Sequence, residues 1–147
     1  MSPGERGGDL FGRATRLLRP GERFTLAVDP PEVRRGETVR ITLSIRDPGR
    51  VRGDALEVGL RCTERYAYRE PGPGGRGGRR RIASATVVEQ WDAADPGVAL
   101  QVRQLVVPEW APFSHDGRVL AFAWTVLARE RRAGFDQLVQ MPVRVRP

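Results

Sequence analysis

The chain has 147 residues, 25 basic against 18 acidic, and a formal net charge of +7 at pH 7. That length suits one domain, which can bury about 70% of the surface its unfolded form exposes and needs no covalent staples. One cysteine, Cys62, excludes an internal disulfide, and one histidine, His115, leaves a Cys/His metal site without a ligand set. No apolar run approaches the ~18 residues of a membrane-spanning helix. No N-terminal stretch joins a basic start to an apolar core, so a cytoplasmic location is expected.

All the basic residues are arginine, and the chain contains neither Lys nor Asn. A GC-rich coding sequence explains that bias more simply than selection for phosphate binding. The sequence pI near 11.2 therefore argues only weakly for nucleic acid or an anionic membrane.

Residues 1–21 read as a flexible Gly-, Pro- and Arg-rich N-terminus that contains a short basic amphipathic helix. Asp9 caps it, and Leu10, Phe11, Ala14, Leu17 and Leu18 fall on one face at helical spacing, a docking face for the helix. Pro20-Gly21 ends it. So short a helix is marginal alone and must dock, against its own domain, a partner groove or an anionic membrane.

From Phe24 the period changes to two. Phe24, Leu26 and Val28 alternate with polar or small residues, Asp29-Pro30-Pro31 breaks the run, and Val39, Ile41, Leu43 and Ile45 resume it. Further strands are predicted over Ala55 to Glu70, Ile82 to Trp91, Val98 to Val107, Val119 to Glu130 and Gln137 to Val145. In the fifth strand the apolar phase shifts between Val102 and Leu105, which predicts a β-bulge near Arg103-Gln104. Seven strands over residues 22–147 predict a single antiparallel, immunoglobulin-like β-sandwich, with a closed barrel as the alternative.

Some segments carry a resemblance. Val33-Arg34-Arg35-Gly36-Glu37-Thr38-Val39 follows LAVDPPE as the PGE-x-V turn and strand of arrestin-like domains follows their first strand. Val107-Pro108 through Pro112, Ser114 and Gly117 into Leu120 to Val126 resembles their proline, Pro-x-Ser, Gly and aromatic-strand pattern, and Gln140-Met141-Pro142-Val143 resembles their closing strand. The chain departs from the pattern at Arg35, where the family has Pro, and at Arg40, where it often has Gly. Arrestins and their bacterial sporulation-control relatives carry two such sandwiches, and this chain is read as one. The resemblance implies an arrestin-like scaffold that binds without catalysis and uses no cofactor.

The residues agree with that implication. Ser114-His115-Asp116 has the residue types of a hydrolase triad, but three consecutive residues cannot converge as nucleophile, base and orienting acid. Cys62 lies in inward phase between apolar positions, as a buried thiol does. Trp124 sits in the most apolar strand and reads as core, whereas Trp110 lies in a Pro-bracketed loop and is a candidate interface anchor. Pro71 to Arg81, PGPGGRGGRRR, reads as a flexible excursion between strands. Its Arg76, Arg79, Arg80 and Arg81 are candidates for contact with a polyanion or an acidic partner. A protein partner is expected, and the alternative is nucleic acid or an anionic membrane bound through the 72–81 loop. Exposed strand edges also leave room for a homo-oligomer.

Overall fold

A computed structural model of the chain describes residues 14–15, 23–50, 56–132 and 135–147. Ten strands lie among the described residues: β1 (Ala14–Thr15), β2 (Phe24–Asp29), β3 (Glu32–Arg34), β4 (Thr38–Ile45), β5 (Leu56–Pro71), β6 (Gly78–Ala93), β7 (Leu100–Val106), β8 (His115–Asp116), β9 (Leu120–Arg132) and β10 (Phe135–Arg146). The seven predicted strands correspond to β2, β4, β5, β6, β7, β9 and β10. The other three have two or three residues each, too short for a periodic signal.

The strands form two sheets rather than a closed barrel. One has the order β1-β2-β4-β7, and the larger has the order β3-β10-β9-β5-β6 with β8 beside β9. Pairing is antiparallel except for β3, which runs parallel to β10. The Asp29-Pro30-Pro31 break is where the chain leaves the small sheet for the large one, and Arg144 N donates to Pro31 O as β3 begins.

The core lies between the sheets because each strand alternates. Phe24, Leu26 and Val28 on β2 and Val39, Ile41, Leu43 and Ile45 on β4 are buried. They face Leu56, Val58, Leu60 and Cys62 on β5, Trp124 and Val126 on β9, and Met141 and Val143 on β10. The register places Cys62 opposite Trp124 and Leu60 opposite Val126, so these pairs share the inner face.

Two expectations about residues 71–107 are corrected. β7 pairs with β4 in unbroken register from Thr38↔Val106 to Ser44↔Leu100, so there is no bulge near Arg103-Gln104. Instead Leu100, Val102 and Val106 point outward and are exposed. Gln101 and Arg103 point inward because the turn before β7 needs donors and acceptors. Gln101 Nε2 donates to Asp95 O at 2.6 Å, Asp95 N donates to Gln101 Oε1 at 2.8 Å, and Arg103 Nε donates to Ala93 O at 3.0 Å. The register shift lies elsewhere, between Cys62 and Thr63 where β5 meets β6.

The second correction concerns 71–81. β5 and β6 are 16 residues each, twice the length of β4, and stay paired to Pro71↔Gly78. Only residues 72–77 lie outside the ladder, so Arg79, Arg80 and Arg81 stand on a strand. At about 3.3 Å per residue, the paired strands run well past the small sheet. Burial falls from Thr63 onward, and a hairpin projects from the sandwich.

The helix expected over 9–19 falls largely outside the described residues, and so do Leu10, Phe11, Leu17 and Leu18. Ala14 is described, and there the expectation fails. Ala14–Thr15 is extended and pairs with Val28 and Ala27.

Candidate interaction surface

The connection from β7 to β9 closes one end of the sandwich, and short-range chemistry pins it. Gly36 turns at φ 84° and its N–H reaches Val107 O at 2.7 Å, while Val107 N donates to Glu37 O at 2.9 Å. Pro108 starts a turn closed by Ala111 N to Pro108 O at 3.1 Å, and Ala111 is fully buried. The Arg35 guanidinium donates to Ala111 O at 3.3 Å and lies 5.7 Å from the Phe113 ring centroid. The Trp124 indole N–H donates to Pro112 O at 2.9 Å, tying the loop to the core. Ser114 then exchanges two bonds with β10: its N–H donates to Val145 O, and Val145 N–H donates to Ser114 Oγ at 2.9 Å.

On this fixed loop Trp110 is 74% exposed, and Phe113, further along the loop, is exposed as well. An aromatic ring held in water by a rigid backbone loses little conformational entropy when a partner covers it. The same bonds give Ser114 a structural role. His115 and Asp116 lie side by side in β8, opposite Phe122 and Ala121, and both are exposed.

The outer face of the large sheet carries an open groove of about 640 Å³, lined in part by Thr63, Arg65, Ser84, His115, Ala123 and Arg144. Its arginines face acids: Arg144 Nε lies 3.3 Å from Glu32 Oε1, and Arg65 Nη2 lies 4.0 Å from Asp116 Oδ1. Among the described residues, no three His, Cys, Asp or Glu side chains gather as metal ligands do.

Further along that face lies a stack with no motif in the sequence. Trp91 lies over Gly59, its ring 3.9 Å from the Arg129 guanidinium carbon and 5.8 Å from that of Arg61. The indole N–H donates to Glu89 Oε1 at 2.5 Å, and Arg129 pairs with Glu57. The Trp91 hydrogen bond first, with Arg61 and Arg129 after it, holds the Glu89 carboxyl below its usual range. A glycine in the middle of an apolar strand is the sequence signal that marks such a close approach.

Cys62 is fully buried on the inner face, and its pKa is pushed up to about 11, by burial first and the Glu64 carboxylate second. The four loop arginines do not form one cluster. Arg76 is in the hairpin tip, Arg79 and Arg81 pair opposite Glu70 and Tyr68, and Arg80 pairs opposite Arg69 on the other face.

No family model matches this chain, and neither does any curated protein. Among solved structures, it is similar to the crystal structure of Spo0M, sporulation control protein, from Bacillus subtilis. The TM-score is 0.51 and the identity 13%, over 85% of this chain and 49% of that one. The chain thus spans about half the length of that structure. Among the described residues, no helix is long and apolar enough to cross a membrane. The likeness in structure and the paired antiparallel sheets agree, and this chain has the arrestin-like β-sandwich fold.

Proposed function

We propose that residues 22–147 act as a non-enzymatic, arrestin-like interaction module that binds a protein partner in the cytoplasm through the β7–β9 end loop. The observation that carries this reading is Trp110, exposed on a loop held by bonds from four directions. Aromatic anchors on preorganised backbone supply a disproportionate share of binding energy at interfaces. Phe113, with the Arg35 guanidinium against its ring, is exposed on the same loop. The described fold neighbour is a sporulation control protein, which supports a regulatory role over a metabolic one.

The test compares proteins retained from a source-cell lysate by immobilised wild type and Trp110→Ala, with thermal midpoints measured alongside. A specific set retained by wild type and lost by an equally stable variant is expected. Retention that ignores the substitution, or no specific retention by wild type, refutes the reading.

A further inference from the structure

The projecting β5–β6 hairpin has two chemically different faces. Residues opposite one another share a face, so Arg65, Ala67 and Arg69 on β5 lie with Ser84, Ile82 and Arg80 on β6. The last turn before β9 joins them: Ala67 N donates to Val119 O at 2.8 Å, and Arg80 Nη2 donates to Arg118 O at 2.9 Å. Ala67, Ile82 and Val119 share one hollow with Arg65, Arg80 and Arg118. Ile82 is 59% exposed and Val119 69%. On the opposite face Tyr66 and Tyr68 have ring centroids 6.0 Å apart, and Arg81 Nε meets Glu70 Oε2 at 2.7 Å.

Arg69 directly opposes Arg80, an arrangement that costs folding free energy because like charges across a ladder repel. Among the described residues, Arg69, Arg80 and Arg118 have no carboxylate within ion-pair distance, and on this face only Asp116 approaches Arg65. Arginines without an acidic neighbour, set around exposed aliphatic side chains, are complementary to an anionic partner with an apolar component. A lipid surface has both, because guanidinium groups meet headgroup phosphates while Ile82 and Val119 enter below them. A phosphate backbone offers the aliphatic side chains nothing. A single strand would also need stacking rings beside its phosphate track, and here the rings lie on the other face.

We propose that the face formed by Arg65, Arg69, Arg80, Ile82, Arg118 and Val119 docks on an anionic lipid membrane.

Co-sedimentation with phosphatidylcholine vesicles and with vesicles containing about one-third phosphatidylglycerol tests it. Wild type should bind only the anionic vesicles. Replacing Arg65, Arg69 and Arg80 with Gln should weaken binding about tenfold or more. A charge-matched triple outside the hairpin, Arg34 on β3 with Arg40 and Arg46 on and just after β4, all replaced with Gln, should retain it. Ile82→Ser should make the residual binding more sensitive to salt. If the hairpin triple fails to fold by circular dichroism, Arg69→Gln alone, beyond the core, carries the test as a weaker but measurable loss. The proposal is overturned by equal losses in the two triples, by no binding of wild type to anionic vesicles, or by a failure of folded Arg69→Gln to weaken it. Tighter binding to a short oligonucleotide that depends on the hairpin arginines but not on Ile82 also overturns it, in favour of nucleic acid.

Discussion

Replacing Gly59 with Ala tests whether the Trp91 stack is a packed unit or a loose surface contact. A Cβ at Gly59 would stand 2.6 Å from Trp91 Cε3, 2.7 Å from Cζ3 and 2.9 Å from Gln90 O. The ring must move, yet Arg129 lies against it at 3.9 Å and Glu89 holds its N–H. Overpacking of this kind costs about 1–3 kcal/mol. The lower entropy of an unfolded chain with Ala in place of Gly offsets about 0.4–1 kcal/mol of that. The expected net loss is about 1–2 kcal/mol, and each kcal/mol lowers the thermal midpoint by roughly 2–4 °C in a domain of this size. Urea unfolding followed by circular dichroism reads it. In a Trp91→Val background part of the loss should vanish, since the ring is gone while the close approach to Gln90 O remains. Gly49→Ala is the control, because nothing lies within 4 Å of its added Cβ. Equal losses with and without the ring, or a Gly59→Ala protein as stable as wild type, would show the reasoning to be wrong.

Other outcomes follow from single contacts. Trp124→Phe removes the donor to Pro112 O and should cost about 0.5–1.5 kcal/mol for that hydrogen bond, beyond any packing loss. It should also speed amide hydrogen exchange at Ala111 and Ser114, and unchanged exchange there would mean the loop is held without it. Cys62 should react with a thiol reagent only after unfolding. Its folded pKa of about 11 exceeds the ordinary 9.0, so between those values the native state keeps a proton that the unfolded state loses. Stability is therefore complete below pH 9 and falls as pH rises toward 11. Cys62→Ala should lack that slope, and identical pH profiles would refute the burial argument.

Several features were legible in the sequence because local chemistry carries them. Period-two alternation in Val39 to Ile45 and Leu56 to Cys62 marked half-buried strands and the inward thiol. Pro108 and Pro112 marked the shaped loop that displays Trp110. The β7 phase was misread because polar Gln101 and Arg103 at inward positions look like a slipped apolar register. Their use in satisfying the 95–98 turn depends on a chain segment that folds back against them. The Gly- and Arg-rich stretch was misread for a related reason. Composition argues against regular structure at 78–81, but pairing with a continuous β5 supplies each ladder bond from outside the segment.

The sequence by itself determined the class of this protein. Alternation decides which side of each strand meets the core, and turn residues decide where strands stop, both within a few residues of chain. Tertiary structure alone decided which residues of different segments meet on one surface. The Trp91 stack joins Gly59, Glu89 and Arg129 from three strands, and the basic face joins Arg69 and Arg80 of one hairpin to Arg118 just before β9. A cross-strand neighbour is set by register, and register follows from the packing of the whole sheet rather than from any one segment.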